Sequence, residues 1–215
     1  MNRSISKSSS GGRPRDRAVD DAILKTAIEL FIGHGVEGAS FEQIAKCSGV
    51  SRAAIYRRWK SKEELLAAAL RSTKQSPNIN AQTIATLNPD ELIALFRKTL
   101  IDALTRQNQG ALIAQLIGSI PAHPELIAVY REEFVEPLWQ AMAKVLDKAR
   151  STGSFPQLPD QELLRDMLAG AVIHRLLMQT NNRHLKKEKA WVERLLRHLG
   201  LTVDVVLVSQ RSTPR

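Results

Sequence analysis

Apolar residues along this chain recur at intervals of three and four rather than two, the spacing of helices that bury one face. Between Arg17 and Gly33 the residues Ile23, Leu24, Ala27, Ile28 and Phe31 form one stripe, and Gly33 and Gly35 mark its end. Phe41, Ile44 and Ala45 repeat the pattern in a shorter segment that Ser40 can cap, with Gln43 placed to reach back. Gly49 gives the backbone the freedom to stop and turn sharply. Ser51 then opens a helix predicted over Arg52–Trp59, with Ile55 and Trp59 one turn apart on its inner face. Ser61 and Glu64 make a further capping box ahead of a helix from Lys62 to about Ser72. The order is helix-turn-helix, then a clamp helix.

A polar stretch, Ser76–Asn88, reads as a domain boundary. Beyond it, Asp90–Gln107 places Leu92, Ile93, Phe96, Leu100, Ile101 and Leu104 on one face. Ala111–Ile120 is apolar almost all round, which predicts burial between other helices. In Pro124–Arg150, Pro137 lacks a backbone donor and predicts a kink or break. Two more amphipathic helices follow, Asp160–Gln179 and Lys187–Leu199. The β-branched tail Leu201–Val208 has no partner strand in view, so a continuing or packed helix is expected. The fold class is all-α. The expected division is a flexible basic N-terminal arm at 1–16, a helix-turn-helix domain at 17–76 and a second helical domain at 77–215.

Around the inner pair of the second helix of the motif lie Arg52, Ala53, Tyr56, Arg57 and Arg58. That face is small and basic, with one hydrogen-bonding aromatic, and suits a helix that enters a major groove. Arg52, Ala53, Tyr56 and Arg57 are the expected groove contacts. Ser40, Ser51, Arg58 and Lys62 are expected on phosphates, close to helix N-termini.

These residues resemble the tetracycline-repressor (TetR) family of one-component bacterial regulators. The resemblance is carried by Leu30, Phe31 and Gly35, then Ile44, Ala45, Gly49, Val50 and Ser51, then Ile55, Tyr56, Trp59, Ser61, Lys62 and Glu63. It is strong over about residues 17–70 and weaker beyond, where Gly170–Leu177 (GAVIHRLL) and the preceding LPDQELL are its clearest parts. The resemblance implies a homodimer on a pseudo-palindromic double-stranded DNA operator and an effector domain that encloses a small-molecule cavity. It also implies that the last two helices pair into a four-helix interface. Leu164, Met167, Leu168, Ala171, Leu176 and Trp191 would form that interface; the same stripes could equally pack within one subunit. Phe96, Leu112, Leu116, Tyr130, Phe134 and Trp139 are candidates for the cavity lining, and each could instead be ordinary core. Such a lining favours a lipophilic ligand. His174 reads either as a locally bonded helix residue or as a ligand sensor.

Charge sharpens the division. Residues 1–76 hold 14 Lys+Arg against 8 Asp+Glu, whereas 77–215 hold 17 against 14, so the basic excess gathers in the DNA-facing third. No apolar run is long enough to span a bilayer and no hydrophobic signal segment opens the chain, so a cytoplasmic protein is expected. Cys47, the sole cysteine, excludes an intramolecular disulfide and is expected to pack. No acid–base pair, nucleophile motif or metal-ligand spacing is present, and neither enzymatic activity nor a cofactor is expected. The expected function is a DNA-binding regulator, a repressor released by a small molecule, with a ligand-independent activator or chromosome organiser of the same fold as the alternative.

Gly11-Gly12-Arg13-Pro14-Arg15 runs directly into the first helix. It is either an arm lying in an A·T-rich minor groove or an idle tail. If it is an arm, replacing Arg13 and Arg15 with alanine weakens operator binding and flattens its salt dependence, most on A·T-rich flanks. Titration at two salt concentrations checks this, and unchanged affinity and slope identify a tail.

Overall fold

The computed structural model describes residues 17–74, 86–151, 160–178, 184–199 and 201. The arm, most of the boundary segment and the tail after Leu201 lie outside the described residues. Within them the chain is helical without a strand. The helices are α1 (Arg17–Gly38), α2 (Phe41–Ser48), α3 (Arg52–Tyr56), α4 (Lys62–Ser72), α5 (Pro89–Thr105), α6 (Gln109–Ser119) and α7 (Pro124–Tyr130). A π-helical turn (Arg131–Val135) leads without a break into α8 (Glu136–Ser151), and α9 (Gln161–Met178) and α10 (Leu185–His198) follow.

Local chemistry sets the short elements. The Ser40, Ser51 and Ser61 hydroxyls accept from the backbone N–H groups of Gln43, Ala54 and Glu64 at 3.2, 3.3 and 3.1 Å. Each thereby satisfies a donor that the first helical turn leaves open. The Glu64 carboxylate reaches one residue further back than a capping box requires and accepts from the Lys60 N–H at 2.7 Å. Gly49 ends α2 in the left-handed region, at φ 70°. Asn88 and Glu91 form a complete capping box around Pro89, which starts α5.

Three elements differ from the sequence pattern. First, α1 continues through Gly33 and breaks at Gly35, at φ 71° and ψ −169°. A side chain at Gly35 would stand 3.1 Å from the Gln115 amide oxygen, and the Gln115 amide nitrogen donates to the Ile32 carbonyl at 3.4 Å. The bend therefore lies where α6 touches α1. Second, α6 is not covered all round. Leu112, Ile113 and Leu116 are buried, whereas Ala111, Ala114 and Ile117 face solvent. Third, the helix does not break at Pro137, and a π turn stands just ahead of it. Its ring would press on the carbonyl four residues back, that of Glu133, and the preceding π turn opens that spacing. The Glu136 N–H bonds to the Arg131 carbonyl, five residues back.

One continuous apolar cluster links both parts of the molecule. In the N-terminal module, α1 packs on α2 and α4 around Phe31, Ile44 and Ile55, all fully buried. Trp59 closes this core from beyond α3, with 8% of its surface exposed. α4 also packs on α7, and α6 lies against α1, α7 and α9. Further away, α5 meets α8, α9 and α10.

Several of the expected interface residues belong to this core instead. Leu164, Leu168 and Leu176 are buried within the chain itself and have almost no surface left to give a partner. Trp191 is half-buried beneath the Arg175 guanidinium, 4.6 Å from its ring centroid. Arg175 in turn grips Glu188 at 2.6 and 3.3 Å, stapling α9 to α10 from inside. The apolar residues that α9 does expose are Leu163, Met167, Ile173 and Met178. Cys47, expected to pack, is exposed on α2.

Candidate nucleic-acid interface

Regular helix in α3 ends at Tyr56, three residues earlier than the pattern predicts. The chain keeps turning nonetheless: the Arg57 N–H bonds to Ala53, and those of Arg58 and Trp59 bond to Ile55, at 3.2, 2.9 and 3.1 Å. Trp59 thus stays stacked one turn beyond Ile55, and the opposite face is left outward. That face consists of Arg52, Ala53, Tyr56 and Arg57, all exposed. Tyr56 is 54% exposed, yet its ring stands edge-on to Phe41 of α2 at 4.8 Å and 77°. Its hydroxyl is consequently carried on an anchored ring. Arg52 comes only within 4.0 Å of Glu42, with both side chains open to water, so its charge stays available.

Arg58 departs from expectation. Its Nε pairs with Asp20 of α1, its Nη1 donates to the Ala54 carbonyl at 2.9 Å, and only 14% of the side chain is exposed. The side chain runs back beneath α3 because a carboxylate awaits it there. It fixes α3 to α1 and is not placed to meet phosphate. The Ser40 and Ser51 oxygens are engaged as caps, leaving each hydroxyl proton to donate outward. Lys62 is already paired, its Nζ 2.9 Å from Glu37 Oε1. Lys62 holds the Glu37 carboxyl below its ordinary range. Because Glu37 is itself well exposed, exchanging that carboxylate for a phosphate sacrifices little. Arg13 and Arg15 lie outside the described residues.

Sequence periodicity gave no sign of the polar groups behind this face. The imidazole of His123, at the start of α7, stands 3.4 Å from Glu125, 3.6 Å from Glu63 and 4.0 Å from Glu37. It thus joins the end of α1 and the start of α4 to the C-terminal domain. Asp20 had a weak signal, being an acid in the first turn of α1.

Among the candidate cavity residues, Tyr130 and Phe134 stack at 5.1 Å, and Phe96 lies 6.5 Å from Trp139. Leu112 and Leu116 belong to the same buried cluster. Burial raises the Tyr130 pKa, opposed by nearby Arg106 and by the Gln109 hydrogen bond. The Gln109 amide nitrogen donates to the Tyr130 hydroxyl at 3.1 Å, while its amide oxygen is buried with no partner among the described residues. His174 is exposed on α9. A surface cavity of about 460 Å³ opens at the α5–α6 turn, lined by Leu104, Arg106, Asn108, Ala111 and Leu176 among others. None of the six aromatic and aliphatic candidates borders it.

Two family descriptions cover most of the chain. Residues 23–69 match "Bacterial regulatory proteins, tetR family", and residues 86–199 match "Tetracyclin repressor-like, C-terminal domain". The chain belongs to the TetR family of transcriptional regulators. The TetR relative YdeS of Bacillus subtilis, an HTH-type transcriptional regulator, is 28% identical over 167 residues, 78% of this chain and 82% of YdeS. The DNA-binding transcriptional repressor TetR of Mycobacteroides abscessus is 28% identical over 160 residues, 73% of this chain and 81% of that one. The crystal structure of FadR from Bacillus subtilis in complex with stearoyl-CoA shares the TetR fold at a TM-score of 0.62 and 19% identity, covering 82% of this chain and 96% of FadR. No described helix is long and apolar enough to cross a membrane.

The two arginines at the end of the reading helix should fail differently. Arg57→Ala leaves the melting temperature near wild type and costs about 1–3 kcal/mol on a specific site, with less loss on random DNA. Arg58→Ala removes a part-buried charged bond and lowers stability by about 1.5–3 kcal/mol, and Trp59→Ala lowers it by about 3–5 kcal/mol. Melting curves alongside binding to specific and scrambled duplexes check this. A stable Arg58→Ala protein with selective loss of DNA binding would show that Arg58 reads DNA.

Proposed function

We propose that this regulator is a homodimeric, sequence-specific repressor released from its operator by a small lipophilic molecule. The observation that carries the reading is the double role of α4. Its buried residues Leu65, Leu66, Ala69 and Leu70 lie in a helix that packs on α1 of the DNA-binding module and on α7 of the effector domain. A change in how α7 packs therefore has a direct route to the helices that carry the outward face of α3. A ligand that prefers one arrangement weakens operator binding by that preference and no more. In this reading Arg52, Ala53, Tyr56 and Arg57 face base edges, and Ser40, Ser51 and Lys62 face phosphates.

Repression is supported by the description of the Mycobacteroides abscessus relative as a repressor. A lipophilic effector is supported by the apolar surroundings of Phe96, Trp139 and Tyr130, by the Phe134 ring stacked on Tyr130, and by the stearoyl-CoA held by FadR, a protein of the same fold. The unpartnered Gln109 amide oxygen adds a requirement. A buried acceptor left unpaired is costly, so an effector that donates a hydrogen bond there gains relative to a pure hydrocarbon. Dimerisation is assigned to the outer face of α9, where Leu163, Met167 and Ile173 are exposed beside Ala169 and Gly170. Small residues there permit close helix approach.

Light scattering at micromolar concentration should give a particle of about 48 kDa, twice the 23.9 kDa chain. That particle should select a pseudo-palindrome from random duplexes. Thermal stabilisation across a set of lipophilic hydroxyl- and carboxyl-bearing molecules should find compounds that both raise the melting temperature and release the selected DNA. A monomer that binds DNA one-to-one contradicts the dimer. Stabilising compounds that never weaken DNA binding favour a ligand-independent regulator.

A further inference from the structure

The π turn Arg131–Val135 does more than accommodate Pro137. A π turn carries one residue more than an α turn, so it rotates the helix face by about 100°. The packing follows that rotation. Before the turn α7 lies against α4 and α6, and after it α8 lies against α5 and α9. One continuous helix changes partners here, from the DNA side to the effector core.

Glu133 stands in the middle of the turn. Its Oε1 accepts from Arg71 Nε at 3.0 Å and its Oε2 from Lys74 Nζ at 2.6 Å. Arg71 lies in the last turn of α4 and Lys74 just beyond its end. Lys74 also stands 5.6 Å from the Phe134 ring centroid, and Phe134 stacks on Tyr130, whose hydroxyl meets Gln109. An isolated exposed ion pair adds little, because two long side chains must be held for one screened attraction. Here one carboxylate holds two cations three residues apart, and the second cation rests on a ring that is itself stacked. Two anchors fix the direction of α4, where one would fix only its position. The pull of Lys74 and Arg71 keeps the Glu133 carboxyl below its ordinary range, so the clamp stays charged through neutral and mildly acid pH and loosens only as pH falls through that lowered value.

We propose that Glu133 is a positioning residue for operator binding: by clamping the end of α4 it sets the angle between DNA-binding module and effector domain, and so the spacing of the two reading helices in the dimer. The proposal rests on the dimeric reading above. It requires no effector.

Cys47 supplies the measurement, being the sole cysteine and exposed on α2. Spin labels there, in the full-length dimer, report the separation of the two modules. Glu133→Gln should broaden the Cys47–Cys47 distance distribution and weaken binding to a selected two-half-site duplex by about tenfold, equivalent to 1.4 kcal/mol. Binding to a single half-site should not fall. Because the substitution removes one negative charge per chain, general electrostatics would strengthen both, the opposite direction on the full site. Lys74→Met should lower the same full-site to half-site ratio, and combining the two changes should lower it by less than the product of the single effects. Melting curves accompany each variant; should Glu133→Gln fold poorly, Lys74→Met carries the test alone. An unchanged distance distribution with an unchanged ratio overturns the proposal, as does a monomeric wild-type protein. Failure of every ligand to release DNA from the wild type would instead remove only the ligand-released reading.

Discussion

The packing of α4 against two neighbours is the constraint on which the rest of this molecule depends. On one side it completes the small core of the DNA-binding module; on the other it meets the C-terminal domain through α7. A module of about fifty residues has little apolar surface to bury by itself, so sharing a helix with a larger neighbour is a direct route to stability. The same sharing makes the module's orientation a property of the whole chain. Polar contacts mark both ends of this packing: the His123 imidazole faces Glu63 near the start of α4, and Glu133 holds Arg71 and Lys74 near its end.

Within the module, apolar packing and charge divide the work. Phe31, Ile44, Ile55 and Trp59 fix how the helices sit, and the Arg58–Asp20 pair ties α3 to α1 from beneath. The short α3 therefore needs no length of its own to hold its place. Of its outward side chains, Arg52, Ala53 and Arg57 are exposed outside this core, and Tyr56 touches it only through the edge contact with Phe41. The C-terminal domain shows the converse arrangement, with Phe96 and Trp139 buried together and the Gln109 amide oxygen buried with no partner among the described residues.

Features encoded over a few residues were legible in the sequence. Serine caps, the left-handed Gly49 and the inner pair Ile55 and Trp59 follow from local rules, and so does the outward placement of Arg52, Tyr56 and Arg57. What sequence reasoning missed depends on partners far along the chain. Arg58 looks like a phosphate contact until Asp20, 38 residues away, takes its charge. Glu133 finds Arg71 across 62 residues, and no periodicity reports such a pairing. Leu164, Leu168 and Leu176 were read correctly as an apolar stripe, but a stripe does not say whether its partner is the same subunit or another. Pro137 signalled a disturbance. Whether that disturbance becomes a kink or a π turn depends on what the two halves of the helix pack against.

Native-state hydrogen exchange of the full-length protein, with and without a duplex selected from random sequence, tests the shared role of α4 most directly. DNA that binds one end of a coupled unit must stabilise the other end by linkage. The account predicts that DNA slows exchange not only across residues 40–62 but along α4 to Lys74 and into the π turn at 131–135. Protection that stops at the N-terminal end of α4, leaving its last turn and the π turn unchanged, would contradict it.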